Sequence, residues 1–188
     1  MFAASSPRAL EPQAAEALLA EVDTGGAQRI GVFQDQPARF VNEVVRRCRL
    51  DLVQLHGHEP RDMPGAIVVP AIRAVRVPAE SPLHSSPPRG IELAPNVFGV
   101  LFDAVASDGT SGGTGLTPGA DALAAAIAHL PAGTRVFLAG GLRSDSVAAC
   151  VRCYAPFAVD VSSGIESAPG VKDRHRMAAF VAAVRSAR

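Results

Sequence analysis

Short, almost unbroken apolar runs alternate with segments of helical periodicity along this chain, and few folds accommodate such a pattern. The runs are Arg29–Gln34 (RIGVFQ), Leu52–Leu55 with His56 and Gly57 following, Ile67–Ile72, Val97–Phe102, Val136–Ala139 and Ala158–Val161. Each ends in Gly, Asp or a polar residue. Continuous rather than alternating hydrophobicity marks strands covered on both faces, as in a parallel sheet. Between the runs, Pro12–Val22 carries Ala14, Ala15, Leu18, Leu19 and Val22 on one stripe, and Pro37–Cys48 carries Phe40, Val41, Val44 and Val45. Asp121–Leu130 and Ser144–Cys153 repeat the device, and Val171–Ala187 closes the chain with Met177, Phe180, Val181 and Val184 inward. Strands alternating with helices in this way predict βα units on a parallel sheet.

Val77–Glu92 breaks the pattern, because its Pro, Ser and Gly content reads as loop where a helix is expected. Six strands are visible, whereas a closed (β/α)8 barrel has eight. With 188 residues and no linker or charge block, residues 1–188 are expected to form a single domain able to bury one sizeable core. A zero net charge gives no reason to expect a nucleic-acid partner. Arg39, Arg46 and Arg47 read as the solvated side of a helix. No apolar run approaches the ~20 residues of a membrane helix, and Met1–Glu11 lacks the features of a secretory signal. Three cysteines, an odd number, suit a reducing compartment. The expectation is a cytoplasmic protein with no membrane partner.

In a βα barrel the chemistry lies in the loops after the strands. Three glycine-rich turns follow consecutive strands near the C-terminal end: Gly112-Gly113-Thr114-Gly115, Gly140-Gly141 and Ser162-Ser163-Gly164. Glycines let backbone N–H groups approach a phosphate, although tight βα connections use glycine anyway. Three in succession favour a phosphorylated small-molecule substrate. Asp103 follows Val97–Phe102 and is either a general acid or base or a cap for the next segment. His56, at the end of Leu52–Leu55, contacts substrate or hydrogen-bonds its neighbours. Arg8, in a loop before a helix, pairs an anion through its fork geometry or is solvated. Cys150 and Cys153 lie three apart on a helix and read as packing residues, as does Cys48, since no second pair completes a metal site.

Taken together, GVF, QLHG, LFDA with GGTG downstream, AGGL, and DVSSGIE followed by PGVKD resemble phosphoribosylanthranilate isomerase in order and spacing. The resemblance runs from Ser5-Ser6-Pro7-Arg8 to the last helix, and DVSSGIE-x-x-PGVKD is its most specific part. It implies a TIM (β/α)8 barrel of tryptophan biosynthesis that needs no cofactor and binds no metal. The implied reaction is an Amadori rearrangement of N-(5-phosphoribosyl)anthranilate to 1-(o-carboxyphenylamino)-1-deoxyribulose 5-phosphate. By the same resemblance Asp103 is the general acid that protonates the ribose ring oxygen, and a cysteine then removes the C2 proton. Gly113, Thr114, Gly115, Gly140, Gly141, Ser163 and Gly164 would hold the phosphate, Arg8 would meet the anthranilate carboxylate, and His56 would contact substrate.

The sequence also departs from the family. Its Lys-x-Cys-Gly motif, which carries the basic cysteine, has no counterpart here, and Cys48, Cys150 and Cys153 fall in helical segments. Met1–Arg8 aligns with the end of the family's second strand and its loop, and Met1-Phe2 reads as the tail of a buried strand. The expectation is therefore an incomplete barrel lacking the first strand, first helix and most of the second strand. Such a chain would have impaired turnover and could self-associate through exposed edges. It could also be a catalytically silent or partner-dependent fragment that keeps the phosphate turns. Pro118-Gly119-Ala120 and Ser146 replace further family residues. A sister barrel of the indole or histidine pathways fits DVSSGIE-x-x-PGVKD and QLHG less well.

Overall fold

The computed structural model of the protein describes residues 1–3, 6–78, 93–105 and 120–188. The chain divides into two compact units, the first built from Met1–Ala74 with Leu93–Gly99 and the second from the rest of the described chain.

The first unit contains α1 (Pro12–Glu21), β1 (Ile30–Phe33), α2 (Ala38–Cys48), β2 (Leu52–Leu55), a 3-10 turn at Met63–Ala66 and the start of β3 (Ala71–Pro78). β1 pairs with β2 and β2 with β3, both parallel, with Ile30 opposite Leu52 and Val53 opposite Ala71. Every side chain of β2 is buried, as its unbroken apolar run with a single glutamine predicts. Helix α2 buries Val41, Val44, Val45 and Cys48, an i, i+3, i+4, i+7 stripe that packs with Phe33, Val53 and Leu55. Burying each such valine stabilises the fold by roughly 1.5–3 kcal/mol. The helix ends at Arg49, which takes the left-handed conformation with φ 49°. Met1-Phe2 does run beside β1: the Phe2 N–H donates to Val32 O at 2.8 Å, and the Phe2 ring stacks on Phe33 at 5.1 Å.

Two expectations for this unit are corrected. The strand expected at Ile67–Ile72 begins only at Ala71 and continues to Pro78, so Val77 belongs to it rather than to a loop. The cause is Asn96. Its side-chain amide donates to the carbonyls of Pro64, Ile67 and Val69 at 3.1, 2.9 and 2.9 Å, which holds residues 64–69 as a turn. The apolar stripe of α1 is also wider than its contact surface. Ala15 is buried and Leu19 packs against the core, but Leu18 and Val22 are exposed. Leu18 lies three residues from Ala15, roughly 60° around the helix from it, and Val22 lies beyond the last turn.

The second unit contains β4 (Val97–Val105) from Val100 onward, α3 (Ala120–Ala128), β5 (Val136–Ala139), α4 (Val147–Tyr154) and β6 (Ala158–Val159). A 3-10 turn at Ser163–Ile165, an antiparallel hairpin of β7 (Glu166–Ala168) and β8 (Val171–Lys172), and α5 (Arg174–Ser186) follow. β4, β5 and β6 pair in parallel order, with Leu101 opposite Phe137 and Phe137 opposite Ala158. Leu142, Val147, Val151, Ile165 and Phe180 form a core beneath the loops that follow β5 and β6.

Four points differ from expectation here. β4 extends to Val105, so Asp103 lies within the strand rather than after it, because its backbone continues the ladder opposite Ala139. Helix α5 starts at Arg174 instead of Val171, since Pro169-Gly170 (φ 82°) turns the chain into the hairpin first. On α5, Phe180 is buried and Val184 packs against the core, whereas Met177 and Val181 are exposed. Cys150 packs as expected but Cys153 is exposed. Three residues on, Cys153 lies roughly 60° around the helix from Cys150, at the edge of the packed face. The segments 79–92 and 106–119 lie outside the described residues, and with them all but the first two residues of the loop expected at Val77–Glu92.

Candidate active site

In the first unit the end of β2 is tightly built. Gln54 and His56 alternate onto one face of the strand, and the buried Gln54 amide donates to His56 Nδ1 at 2.8 Å. With Nδ1 accepting, the neutral ring carries its proton on Nε2. The His56 N–H donates to Phe33 O at 2.9 Å. Gly57 is required by a close approach, because a Cβ there would meet Asp35 Oδ1 at 2.3 Å. The buried carboxylate of Glu59 accepts from the Gly57 and Asp35 N–H groups at 3.0 and 3.1 Å, fixing both loops. Arg8 is half-buried in the turn after Ser6, whose Oγ accepts from the Arg8 N–H at 3.2 Å.

In the second unit Asp103 is 5% exposed and pairs with Ala139, the last residue of β5. Directly after Ala139 come Gly140 and Gly141, with φ 85° and 60°, a conformation that favours glycine. The second turn locks onto the first. Gly164 lies so close to Leu142 that a Cβ would meet the Leu142 carbonyl oxygen at 2.0 Å. The two turns therefore share a polar cleft of about 320 Å³, lined by Gly141, Arg143, Ser144, Asp145, Ser163, Gly164 and Arg176. The contact between Arg143 Nε and Asp145 is long, at 3.8 Å, and well exposed, so it leaves most of the guanidinium's charge to the cleft.

Around this cleft the side chains are organised. Lys172 Nζ lies 2.8 Å from the buried Glu166 carboxylate and donates to Ser162 O at 2.9 Å. Arg176 donates to the Glu166 carbonyl. Asp173 caps α5 by accepting from the His175 and Arg176 N–H groups at 2.8 and 3.0 Å, and these bonds hold its carboxyl below the ordinary range.

A larger hollow of about 510 Å³ lies in the first unit, lined by residues that include Asp35, His58, Glu59 and Asp62. Asp35 and Glu59 already accept backbone N–H groups there, and the hollow holds none of the anticipated site residues. Among the described residues no cluster of His, Cys, Asp and Glu is suited to a metal ion. Burial raises the Cys48 and Cys150 thiols above their usual pKa, which keeps them protonated and poor as bases near neutrality.

The sequence model for N-(5'-phosphoribosyl)anthranilate (PRA) isomerase matches residues 1–183. The chain belongs to the PRA isomerase family. It is 42% identical over 181 residues to the Geobacter sulfurreducens N-(5'-phosphoribosyl)anthranilate isomerase, covering 96% of this chain and 83% of that one. The Myxococcus xanthus relative of the same name is 39% identical over 98% of this chain and 84% of its own length. Among solved structures, the phosphoribosyl anthranilate isomerase of Thermus thermophilus superposes with a TM-score of 0.77 at 30% identity, over 100% of this chain and 86% of that one. The α/β fold, with its parallel strands, is thus that of the TIM-barrel-like PRA isomerases, and the chain is an isomerase of the tryptophan pathway by family.

Of the anticipated PRA isomerase residues, Gly141, Ser163 and Gly164 meet in one cleft, Gly140 adjoins it, and Asp103 is on the neighbouring strand. Arg8 and His56 belong to the first unit. Gly113, Thr114 and Gly115 lie outside the described residues. Arg143, Ser144, Asp145 and Arg176 were not singled out from the sequence. Arg143 could have been, since a cation immediately after Gly-Gly-Leu is a visible signal. Arg176 could not, because only the fold of the hairpin brings α5 to the turn.

Proposed function

We propose that this chain binds N-(5-phosphoribosyl)anthranilate through its 5-phosphate at the cleft of Gly140, Gly141, Ser163 and Gly164, and carries out its Amadori rearrangement with Asp103 as general acid. The observation that carries this reading is the convergence of two glycine turns on one polar cleft with two arginines, Arg143 and Arg176. Backbone N–H groups and guanidinium forks suit a phosphate dianion. Gly113, Thr114 and Gly115 complete the set in this proposal.

The burial of Asp103 and its pairing with Ala139 support this role. In this proposal the mostly buried Asp103 donates its proton to the ribose ring oxygen, the C1–O bond breaks, and the imine forms. Loss of the C2 proton to a base then gives the enolamine, which tautomerises to the ketose. Arg8 meets the anthranilate carboxylate and His56 contacts substrate. The reading needs no cofactor. It takes residues 1–188 as one cytoplasmic domain, in keeping with a family match that runs unbroken through both units. Among the described residues no helix is long and apolar enough to cross a membrane.

The decisive assay is conversion of N-(5-phosphoribosyl)anthranilate to the ribulose product by the chain and by Asp103→Asn. The reading predicts turnover that falls by about 10²–10⁴-fold in the variant, and equal rates would overturn Asp103 as the acid. A second reading, phosphate binding without turnover, is favoured by the cysteines. Cys48 is buried on α2 with its thiol 3.7 Å from Pro12 O, and Cys150 and Cys153 lie on α4. Phosphate binding without product formation selects that reading. Self-association is proposed with it, on the exposed Leu18 and Val22 of the first unit and Met177 and Val181 of the second. Sedimentation velocity over a concentration series tests it.

A further inference from the structure

We infer that Lys172, held by Glu166, is a positioning residue that aims the Ser163 N–H into the cleft and so sets its affinity for phosphate. This rests on the phosphate reading of the cleft and adds to it residues that touch no substrate.

One peptide unit links Lys172 to the cleft. The carbonyl of Ser162 and the N–H of Ser163 belong to the same planar trans peptide and point in opposite directions. Fixing one therefore fixes the other. Ser162 O accepts from Lys172 Nζ at 2.9 Å and from the Ile165 N–H at 3.4 Å. The second of these is a long bond within a single 3-10 turn, and such turns are poorly restrained on their own. The ammonium is the stronger constraint, because a hydrogen bond from a charged donor is roughly twice as strong as a neutral one.

Lys172 is in turn fixed from the far side. Glu166 is 4% exposed at its side chain and lies 2.8 Å from the ammonium. A buried carboxylate without a cation would carry a large desolvation cost, so the pair forms a well-defined contact. The surface pair of Arg47 and Glu16 has a similar separation of 3.0 Å, yet its carboxylate is 49% exposed against 4% for Glu166. Arg176 binds the Glu166 carbonyl, and the Asp173 N–H donates to Ile165 O at 2.8 Å. The hairpin thus returns the chain over the turn and clamps Ser162 to Glu166 from behind. On the other side Gly164 abuts the Leu142 carbonyl, so Lys172 orients the Ser162–Ser163 peptide against a fixed neighbour.

The test uses the full chain, with inorganic phosphate as the probe and calorimetric titration as the readout. Lys172→Met should weaken phosphate binding by about tenfold, the scale of one misdirected charge-assisted donor, and should speed exchange of the Ser163 amide. Lys172→Arg, which keeps a cation between Glu166 and Ser162 O, should restore binding to within about threefold. Glu166→Gln keeps an acceptor and removes the charge. It should give an intermediate loss, and it serves as the main test if Lys172→Met does not fold. Normal phosphate affinity in folded Lys172→Met or, failing that, in Glu166→Gln overturns the inference while leaving the phosphate cleft standing. An unsubstituted chain that binds no phosphate overturns both.

Discussion

Asp103 stands in register with Ala139, and Ala139 is followed directly by the Gly140–Gly141 turn. This pairing places a residue that is 5% exposed opposite the strand position that immediately precedes the turn, whose Gly141 lines a polar cleft. Burial removes competing water, so a proton donor there acts in a medium where its charge matters more. Asp103→Asn keeps the shape and removes the proton, and it should lower turnover by about 10²–10⁴-fold while the melting temperature changes little. Steady-state rates on N-(5-phosphoribosyl)anthranilate, with a thermal melt of each protein, check this.

Gly164→Ala should be severe. The added methyl would meet the Leu142 carbonyl oxygen at 2.0 Å and Val161 Cγ2 at 3.1 Å. The first contact is backbone and cannot swing aside, so the two turns must separate. A cost of about 1–3 kcal/mol is expected, with loss of phosphate binding. Urea denaturation with calorimetric titration measures both. Gly65→Ala, where nothing lies within 4 Å of the added atom, is the control.

Asn96 ties the first unit together at one point. It holds φ 70° and donates to three carbonyls. Asn96→Ala loses these bonds and keeps the left-handed strain, for a cost of about 2–4 kcal/mol. Asn96→Gly relieves the strain alone and should recover only about 1 kcal/mol of it. Equal stability of the two variants in urea would show that the carbonyl bonds contribute everything.

The cap of α5 gives a pH dependence of known sign. The Asp173 carboxyl is held below its ordinary value by the N–H groups of Arg176 and His175. A depressed folded-state pKa contributes stability above the unfolded-state value and loses it as pH falls through the folded one. The melting temperature should therefore drop between about pH 5 and pH 2, and Asp173→Asn, which still caps but does not titrate, should drop less. Parallel thermal melts across that range decide it.

Much of this was legible in the sequence because parallel strands buried on both faces leave an unbroken apolar run. Leu52–Leu55 and Val136–Ala139 are recovered residue for residue. What was not legible depends on partners distant in the chain. Nothing local to Ile67–Val69 says that Asn96, some thirty residues on, will hold it as a turn. The same is true of the hairpin at Glu166–Lys172, whose Pro169-Gly170 turn lies directly before residues of helical periodicity. Helical stripes overstate burial for a related reason. Periodicity shows which residues share a face, but the neighbouring element decides how much of that face is covered, as Leu18 and Met177 illustrate. In the site, the glycine turns could be read because their chemistry is local. Arg176 reaches the cleft, and Lys172 and Glu166 reach each other behind it, only through tertiary structure.

The phosphate cleft is the central claim, and mapping inorganic phosphate onto the backbone amides by NMR titration tests it most directly. The account predicts saturable shifts concentrated at Gly141, Ser163, Gly164 and the residues beside them. Shifts that do not saturate, or that fall elsewhere in the chain, would contradict it.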